Sequence, residues 1–266
     1  MAQSVVRTGI DGRGVATVAL ARPEVHNAYD EQMIAELCEG LAALAADPQV
    51  RLLILRGDGR HFQAGADLNC LQRLAGAAPE VNLDFSWRTT ETMRRLNAFP
   101  RPTLALVHGA CYGGGLGMVA CCDVAIASEQ ASFALTEVRW GVIPAPIVPQ
   151  LCAAMGVRSL RRYGITGERF DAREALRTQL IHQICAEGAL DQAAAPVIEA
   201  LLQSAPEAVA QSKQLVLAQA GLELTPQQVR ALALQAAVKR ASPEAAEGLR
   251  SFLEKRRPSW YQPPED

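Results

Sequence analysis

Several things are scarce in this 266-residue chain, and each scarcity removes a class of protein. Neither sign of charge dominates: 26 Lys and Arg stand against 28 Asp and Glu, a net charge of −2 with a sequence pI near 6.1. Such a chain carries no field that would gather nucleic acid or an anionic membrane surface. Aromatics are 5% of the residues, and the basic residues are scattered apart from Lys255-Arg256-Arg257. A stacking ladder or basic stripe for nucleic acid is therefore missing. No run of about 20 uninterrupted apolar residues offers a membrane span, and Met1 to Ile10 has no apolar signal-peptide core. Seven cysteines, an odd number with Cys121 and Cys122 adjacent in an apolar segment, show neither metal spacing nor a disulfide framework. Buried, reduced thiols in a cytoplasmic protein are the expectation. The four histidines, His26, His61, His108 and His182, also lack metal-ligand spacing and read as structural. What is abundant is core material: 49% hydrophobic residues suffice for one large core, or a core with a small appendage.

The most informative stretch runs from Ala105 through His108-Gly109-Ala110-Cys111-Tyr112-Gly113-Gly114-Gly115 to Gly117. Thr103 to Val107 is an apolar run that reads as a buried strand, and the glycines open a segment, Leu116 to Cys122, that reads as a helix start. Glycine lets another molecule lie directly on the backbone. First-turn N–H groups are unpaired and carry partial positive charge. Together they suit an oxygen that bears or develops negative charge. Close helix–strand packing would use the same glycines. A dinucleotide site fits less well, because the spacing is not Gly-x-Gly-x-x-Gly, and a phosphate loop would need a following Lys-Ser or Lys-Thr. An oxyanion hole requires a second donor from elsewhere in the chain.

Taken in order, Val15 to Leu20 alternates and is rich in β-formers, a strand. Glu31 to Ala46 places Met33, Ile34, Leu37, Leu41 and Leu44 at helical spacing, after Asn27 or Asp30 as a cap. Val50 to Arg56 is a continuous apolar strand of the kind buried on both faces. His61 to Leu68 leads into a further helix. Ala75 to Asp84 has the least pattern and is expected to be a mobile loop, before a helix over Phe85 to Phe99. Asp123 to Ala127 and Phe133 to Val138 read as strands. From Gln150 onward the chain is mostly helical, with segments at 151–155, 159–163, 171–176, 190–204, 206–219, 225–240 and 243–255. Strands first and helices after, with repeated strand–turn–helix units, indicate an α/β core with a C-terminal helical extension.

Ala64-Gly65-Ala66-Asp67 repeats the logic of the glycine stretch. Small residues stand between a strand and a helix, where Asp67 is a natural helix cap and the preceding N–H groups are open. Two such amides converging on one carbonyl oxygen is what stabilising an enolate requires. The blocks His61-Phe62-Gln63-Ala64-Gly65-Ala66-Asp67-Leu68, His108 to Gly115, and Ala131-Ser132-Phe133-Ala134-Leu135-Thr136-Glu137-Val138 with Gly141-Val142-Ile143-Pro144 resemble the crotonase (enoyl-CoA hydratase/isomerase) superfamily in order and spacing. The likeness extends from about Val15 to Trp260.

That resemblance implies an α/β fold, a spiral of ββα units. Residues 1–200 would form the core with an acyl-CoA site, and 201–266 a C-terminal helical region that drives trimers or dimers of trimers. It implies oxyanion donors at Ala66 and Gly114, with Gly113 beside them. Ala64, Gly65 and Ala66, followed by Asp67 and Leu68, would cradle the adenine, and the loop from Arg22 through Val25 to His26 would lie along the CoA. Phe252-x-x-Lys255 matches a pair that reaches a CoA bound in a neighbouring subunit. Coenzyme A would enter as part of the substrate, with no separate cofactor and no metal.

Hydrating an α,β-unsaturated thioester needs a base for the water and an acid for the α-carbon. Relatives in this superfamily generally use two glutamates. One matches Glu137, whereas the other falls on Gly117. A single-carboxylate mechanism follows, either adding water and returning the proton on one face or shuttling a proton between Cα and Cγ. The combination of Tyr112-Gly-Gly-Gly-Leu-Gly117, Ala134 to Arg139, Arg161-Arg-Tyr163 and Thr166-Gly-Glu-Arg-Phe170 resembles a bacterial branch that hydrates 3-methylglutaconyl-CoA or isohexenylglutaconyl-CoA. Cys70 and Gly164 stand where the leucine-pathway form tends to have aromatics. The lost volume, roughly 100 Å³ each, slightly favours the longer isohexenyl branch of terpene breakdown. Trp87 is read as a pocket wall or as plain core. Arg88, Arg94, Arg95 and Arg139 are candidates for the substrate's second carboxylate. The rival readings are an enoyl-CoA isomerase and a non-catalytic acyl-CoA or RNA-binding relative; the retained Glu137 argues against the latter.

Overall fold

In the computed structural model residues 4–260 are described. The strands are β1 (Val6–Ile10), β2 (Val15–Leu20), β3 (Leu52–Gly57), β4 (Thr103–Val107), β5 (Ala110–Tyr112), β6 (Val124–Ser128), β7 (Ser132–Ala134), β8 (Phe170–Asp171) and β9 (Gln183–Cys185). The helices are α1 (Glu31–Ala46), α2 (Leu68–Ala75), α3 (Pro79–Asn97), α4 (Gly114–Ala120), α5 (Val148–Thr166), α6 (Ala172–Arg177), α7 (Leu190–Gln203), α8 (Pro206–Gln219), α9 (Pro226–Arg240) and α10 (Pro243–Leu253). One sheet has the order β1-β2-β3-β4-β6-β9, and a small second sheet has the order β5-β7-β8. Only β1 is antiparallel in the large sheet. The expected α/β class is what the chain adopts.

Side-chain alternation assigns the two faces of the large sheet. Ala16, Val18, Leu20, Leu53, Leu55, Ala105 and Val107 enter the main core with α1, α3 and α4. Their neighbours Val15, Leu52, Ile54, Leu104, Leu106 and Ile126 face the other way and are covered by α7 through Leu190 and Ala194. Burial on both faces explains why β3 and β4 read as unbroken apolar runs. A third cluster joins Ile34, Cys70, Leu71, Leu74, Phe85 and Leu249 from α1, α2, α3 and α10.

Two local expectations are corrected. The segment expected to be a mobile loop is mostly helix: α3 begins at Pro79, a residue pre-set for a first helical turn. It then buries Asn82 and Phe85. The strand expected over Phe133 to Val138 stops at Ala134, because Thr136 adopts φ −89° and ψ −3° and Glu137–Trp140 coils into a 3-10 turn. The two helical segments at 151–155 and 159–163 lie in α5, where Gly156 breaks the helical backbone with φ 72° and ψ 153°. All seven cysteines are unbonded, and Cys70, Cys111, Cys121 and Cys122 are buried.

The C-terminal helices fold back onto the core. Val229, Ala233, Ala236, Ala237 and Arg240 form the buried stripe of α9, which lies along α3. Small side chains allow that close approach. The α10 helix packs on α2 and on the Glu137–Trp140 turn, where Phe252 meets the Trp140 ring edge-on at 4.3 Å. The last residues of the expected helical region, 261–266, lie outside the described residues. Among the described residues no helix is long and apolar enough to cross a membrane.

Candidate active site

The two glycine-rich turns are laced together by backbone hydrogen bonds. Phe62 N–H donates to the His108 carbonyl at 2.9 Å, Gln63 N–H to Ala110 O at 3.1 Å, and Tyr112 N–H to Gln63 O at 2.8 Å. The buried Gln63 side chain locks the turn that follows. Its Nε2 donates to Asn27 O and Gly65 O, while its Oε1 accepts from Gly65 N–H at 2.9 Å. Gly65 holds φ +89°, and a Cβ built on Gly113 would stand 3.5 Å from Gly65 Cα. The two turns therefore touch backbone to backbone, and the positive φ of +89° at Gly65 and +51° at Gly113 disfavours a side chain at either position.

In this arrangement the neighbouring amides are used and two are left over. Gly113 N–H donates to Ala134 O at 2.8 Å, and Asp67 N–H to Tyr29 O at 2.8 Å. Among the described residues nothing accepts from Ala66 N–H or Gly114 N–H. Both residues line one cavity of about 360 Å³. Gly114 opens α4, so its amide is a first-turn orphan with the helix dipole behind it.

Glu137 enters the same cavity from the turn after β7. Its Oε1 lies 3.0 Å from the place of a Cβ on Gly113, so the carboxyl rests against the glycine backbone. Its Oε2 is shielded from solvent and has no hydrogen-bond partner among the described residues. Burial lifts the carboxyl from its ordinary range to about 7, a backbone hydrogen bond offsetting part of the effect. The Tyr29 ring packs on Gly114: a Cβ there would sit 2.5 Å from Tyr29 Cε1 and 3.2 Å from its hydroxyl. Burial first, and then the charge of Glu137, raise the Tyr29 phenol well above its ordinary value, keeping it protonated.

The position of a second carboxylate is physically filled. A Cβ on Gly117 would meet Ile147 Cγ2 at 2.1 Å, and Ile147 is itself buried. Glu137 is thus the acidic side chain that lines this cavity. The rest of the wall is largely apolar, with Leu68, Leu71, Phe85, Val142 and Ile147, punctuated by Thr89, Thr136, Arg139, Arg169 and Arg240.

The other sequence-selected residues divide cleanly. His26, Ala64, Gly65, Leu68, Gly113, Arg139 and Phe252 line the cavity. Arg22, Val25, Asp67 and Lys255 do not. Arg22 is tied to Asp30 at 3.0 Å, Asp67 at 3.4 Å and the Ala28 carbonyl at 2.7 Å. The Asp67 side chain also caps α2. Phe252 belongs to the cavity of its own chain, where the Trp140 contact holds it, rather than reaching only into a neighbour.

Cys70 and Gly164, read as widening the pocket, and Trp87, read as a pocket wall or plain core, all lie off it. Leu68 and Leu71 are the α2 positions that face the cavity, whereas Cys70 turns to α1 with its Sγ 3.1 Å from Glu31 Oε2. On α3 the inward pair is Phe85 and Thr89, four residues apart, so Trp87 falls on the opposite side and is 43% exposed. A Cβ on Gly164 would face Leu160 and Leu135. Arg88 pairs with Asp84, and Arg94 and Arg95 pair with Glu91, all away from the cavity.

Tyr29, Ile147, Arg169 and Arg240 are cavity residues that sequence reasoning missed. Only Arg240 left a signal, its place on the Val229–Ala233–Ala236 stripe of α9. A larger open cleft of about 880 Å³ beside Arg162, Arg169 and Arg177 holds neither orphan amide. Two of its three arginines are already paired, Arg162 with Glu168 and Arg177 with Glu174. No cluster of potential metal ligands occurs among the described residues.

Comparison with known proteins fits this geometry. The family described as "Enoyl-CoA hydratase/isomerase" matches residues 11–263. A putative enoyl-CoA hydratase of Thermus thermophilus is 34% identical over 244 residues, covering 92% of this chain and 96% of that protein. A 2,3-dehydroadipyl-CoA hydratase of Escherichia coli is 30% identical over 254 residues, covering 92% of this chain and 94% of that protein. Among solved structures, an enoyl-CoA hydratase from Shewanella pealeana superposes with a TM-score of 0.79 at 42% identity, covering 96% of each chain.

Proposed function

The chain belongs to the enoyl-CoA hydratase/isomerase family, and on that premise we propose that it adds water across the C=C of a 3-branched glutaconyl-CoA thioester. The observation that carries this reading is the pair of unpaired amides, Ala66 and Gly114, on the cavity that Glu137 enters. The thioester oxygen accepts from both amides, which stabilise it as it becomes an enolate oxygen. Glu137, as carboxylate, takes a proton from water while the hydroxide adds to Cβ. The enolate forms, and the Glu137 carboxylic acid returns that proton to Cα on the same face. One carboxylate serves both steps because burial lifts its pKa to about 7, which leaves both protonation states accessible near neutral pH.

Coenzyme A arrives with the acyl group, and we assign its contacts to the His26 loop and to Ala64, Gly65 and Leu68. An acyl chain with a far carboxylate agrees with the name of the dehydroadipyl-CoA relative, whose substrate is the thioester of a diacid. The preference for an isohexenyl branch rested on Cys70 and Gly164, and both lie off the cavity. The choice between methyl and isohexenyl branches is decided by turnover on the two thioesters side by side. We take the working form to be a trimer or dimer of trimers in the cytoplasm. A second copy would cover Leu215, Val216, Leu234 and Val238, each at least half exposed on α8 and α9; light scattering coupled to size exclusion reads the assembly directly.

Isomerisation is the second reading, favoured by the place of the missing acid being filled by Ile147. Incubation in 18O-labelled water separates the two, since hydration incorporates the label and proton shuttling does not. The mechanism itself is tested by Glu137→Gln. Turnover falls by about 100- to 10,000-fold while binding of an inert acyl-CoA persists. Near-wild-type turnover would remove Glu137 from the mechanism.

A further inference from the structure

We propose that Arg240 is the anchor for a carboxylate at the far end of the acyl chain, and so sets the enzyme's preference for acidic over neutral thioesters. This rests on the acyl-CoA reading above and names the residue that reads the acyl terminus.

Arg240 closes the buried stripe of α9 and is 7% exposed, yet it lines the cavity. Its hydrogen-bond partners are neutral. Nη1 donates to Asn82 Oδ1, to Asn82 O at 3.5 Å and to Ser86 Oγ at 3.0 Å. Asn82 cannot turn away, because its Nδ2 donates to Ala237 O at 2.8 Å. The guanidinium carbon stands 5.3 Å from the centre of the Phe85 ring, which supports a cation without neutralising it. Among the described residues Nε and Nη2 have no acceptor, and Nε is sealed from solvent. With Nε sealed, Nη2 is the nitrogen left to donate to a carboxylate, in one charge-assisted bond. Burial also pulls the guanidinium below its ordinary pKa, the direction expected of a desolvated cation without an anion.

The other arginines lack this combination. Arg22, Arg88, Arg94 and Arg95 are each satisfied by carboxylates of the chain. Arg139 and Arg169 line the cavity, but both are exposed, and Arg169 is stacked over Tyr112. A buried charge left without a counter-ion is costly unless a ligand supplies one. Arg240 is the buried cavity cation with a donor to spare at Nη2, so a carboxylate there gains the most.

The test uses two inert, saturated thioesters of equal length, 3-methylglutaryl-CoA with a terminal carboxylate and 3-methylpentanoyl-CoA with a terminal methyl. Their affinities are measured by calorimetry on the full-length protein. The wild type binds the acidic ligand more tightly. Arg240→Met lowers that affinity roughly 10- to 100-fold and leaves the neutral ligand within about twofold. Arg240→Lys, which keeps the charge without the fixed guanidinium geometry, falls between. Equal wild-type affinities for the two ligands would overturn the assignment without any variant. So would a parallel loss of both ligands in Arg240→Met, which marks a structural role. Because neither ligand reacts, the outcome is independent of whether the chemistry is hydration or isomerisation, and failure of both to bind the wild type would instead sink the acyl-CoA reading.

Discussion

One wall of the cavity, with Ala66, Gly114 and the Gly113 surface beneath Glu137, is built from turns. The wall carrying Arg240 is built from two packed helices, α3 and α9. The turn-built wall offers backbone amides held rigid by neighbouring hydrogen bonds, and such donors cost little reorganisation when charge develops on an oxygen. The helix-built wall offers a side chain, positioned by Asn82, Ser86 and the Phe85 ring. The two walls also hold opposite charges under one constraint. Burial raises the Glu137 carboxyl toward neutrality and pulls the Arg240 guanidinium below its ordinary value. On the proposed reading, the turns carry the reaction and the helices select what reacts.

The largest effect that could break this division is Glu137→Gln against Arg240→Met. The first cuts turnover 100-fold or more with binding retained, and the second cuts acidic-ligand binding with the chemistry of a neutral thioester retained. If both variants lost kcat and affinity in the same proportion, the two walls would be one functional unit. Next in size is the pH dependence of Glu137. Its carboxyl titrates near 7 when folded and near 4.5 when unfolded. Below about pH 4.5 both forms hold the proton, and the pH-dependent part of the burial cost is zero. Between 4.5 and 7 only the folded form keeps it, so this group's contribution to stability declines as pH rises and is fully lost above 7. Glu137→Gln is therefore more stable than wild type at pH 8, by up to about 3 kcal/mol, and the difference vanishes near pH 4. Urea unfolding at both pH values measures it. The rate constant kcat/KM should rise through the same pH 7 midpoint, because the carboxylate is the form that activates water.

Smaller still is the cost of forcing an acid back into the turn-built wall. Gly117→Glu drives its Cβ into Ile147 and loses about 1–3 kcal/mol, with no gain in rate. Adding Ile147→Ala recovers part of that loss, which thermal unfolding of the two variants would reveal. Smallest is Trp87→Ala on the outer face of α3: stability within about 0.5 kcal/mol and unchanged kinetics. A kinetic defect there would mean that the helix-built wall extends further around α3 than its Phe85–Thr89 face.

The same two walls explain what was readable in the sequence. Backbone sites write themselves into local sequence, because turns held at positive φ in close contact favour glycine, as at Gly65 and Gly113. Ala64–Ala66 and Gly113–Gly115 were therefore visible before any coordinates, as were the apolar runs of β3 and β4. Gly117 was legible as a missing acid, but its replacement by Ile147, thirty positions on, needed the fold. The helix-built wall was nearly invisible. Cys70 and Gly164 were chosen for their small size and Trp87 as a pocket wall or plain core, without the helical phase that turns each of them away from the cavity. Arg240 lies more than 150 positions from Asn82, and nothing local marks their contact. The strand read past Ala134 failed for a related reason: apolar alternation continued through Val138 while the backbone had already turned to aim Glu137.

A crystal structure with a bound, unreactive acyl-CoA tests the central claim most directly. The thioester oxygen should lie about 2.7–3.1 Å from both Ala66 N and Gly114 N, with the Glu137 carboxyl beside the acyl Cα and Cβ. A thioester oxygen bound away from those two amides, or a Glu137 side chain turned out to bulk water, would contradict it.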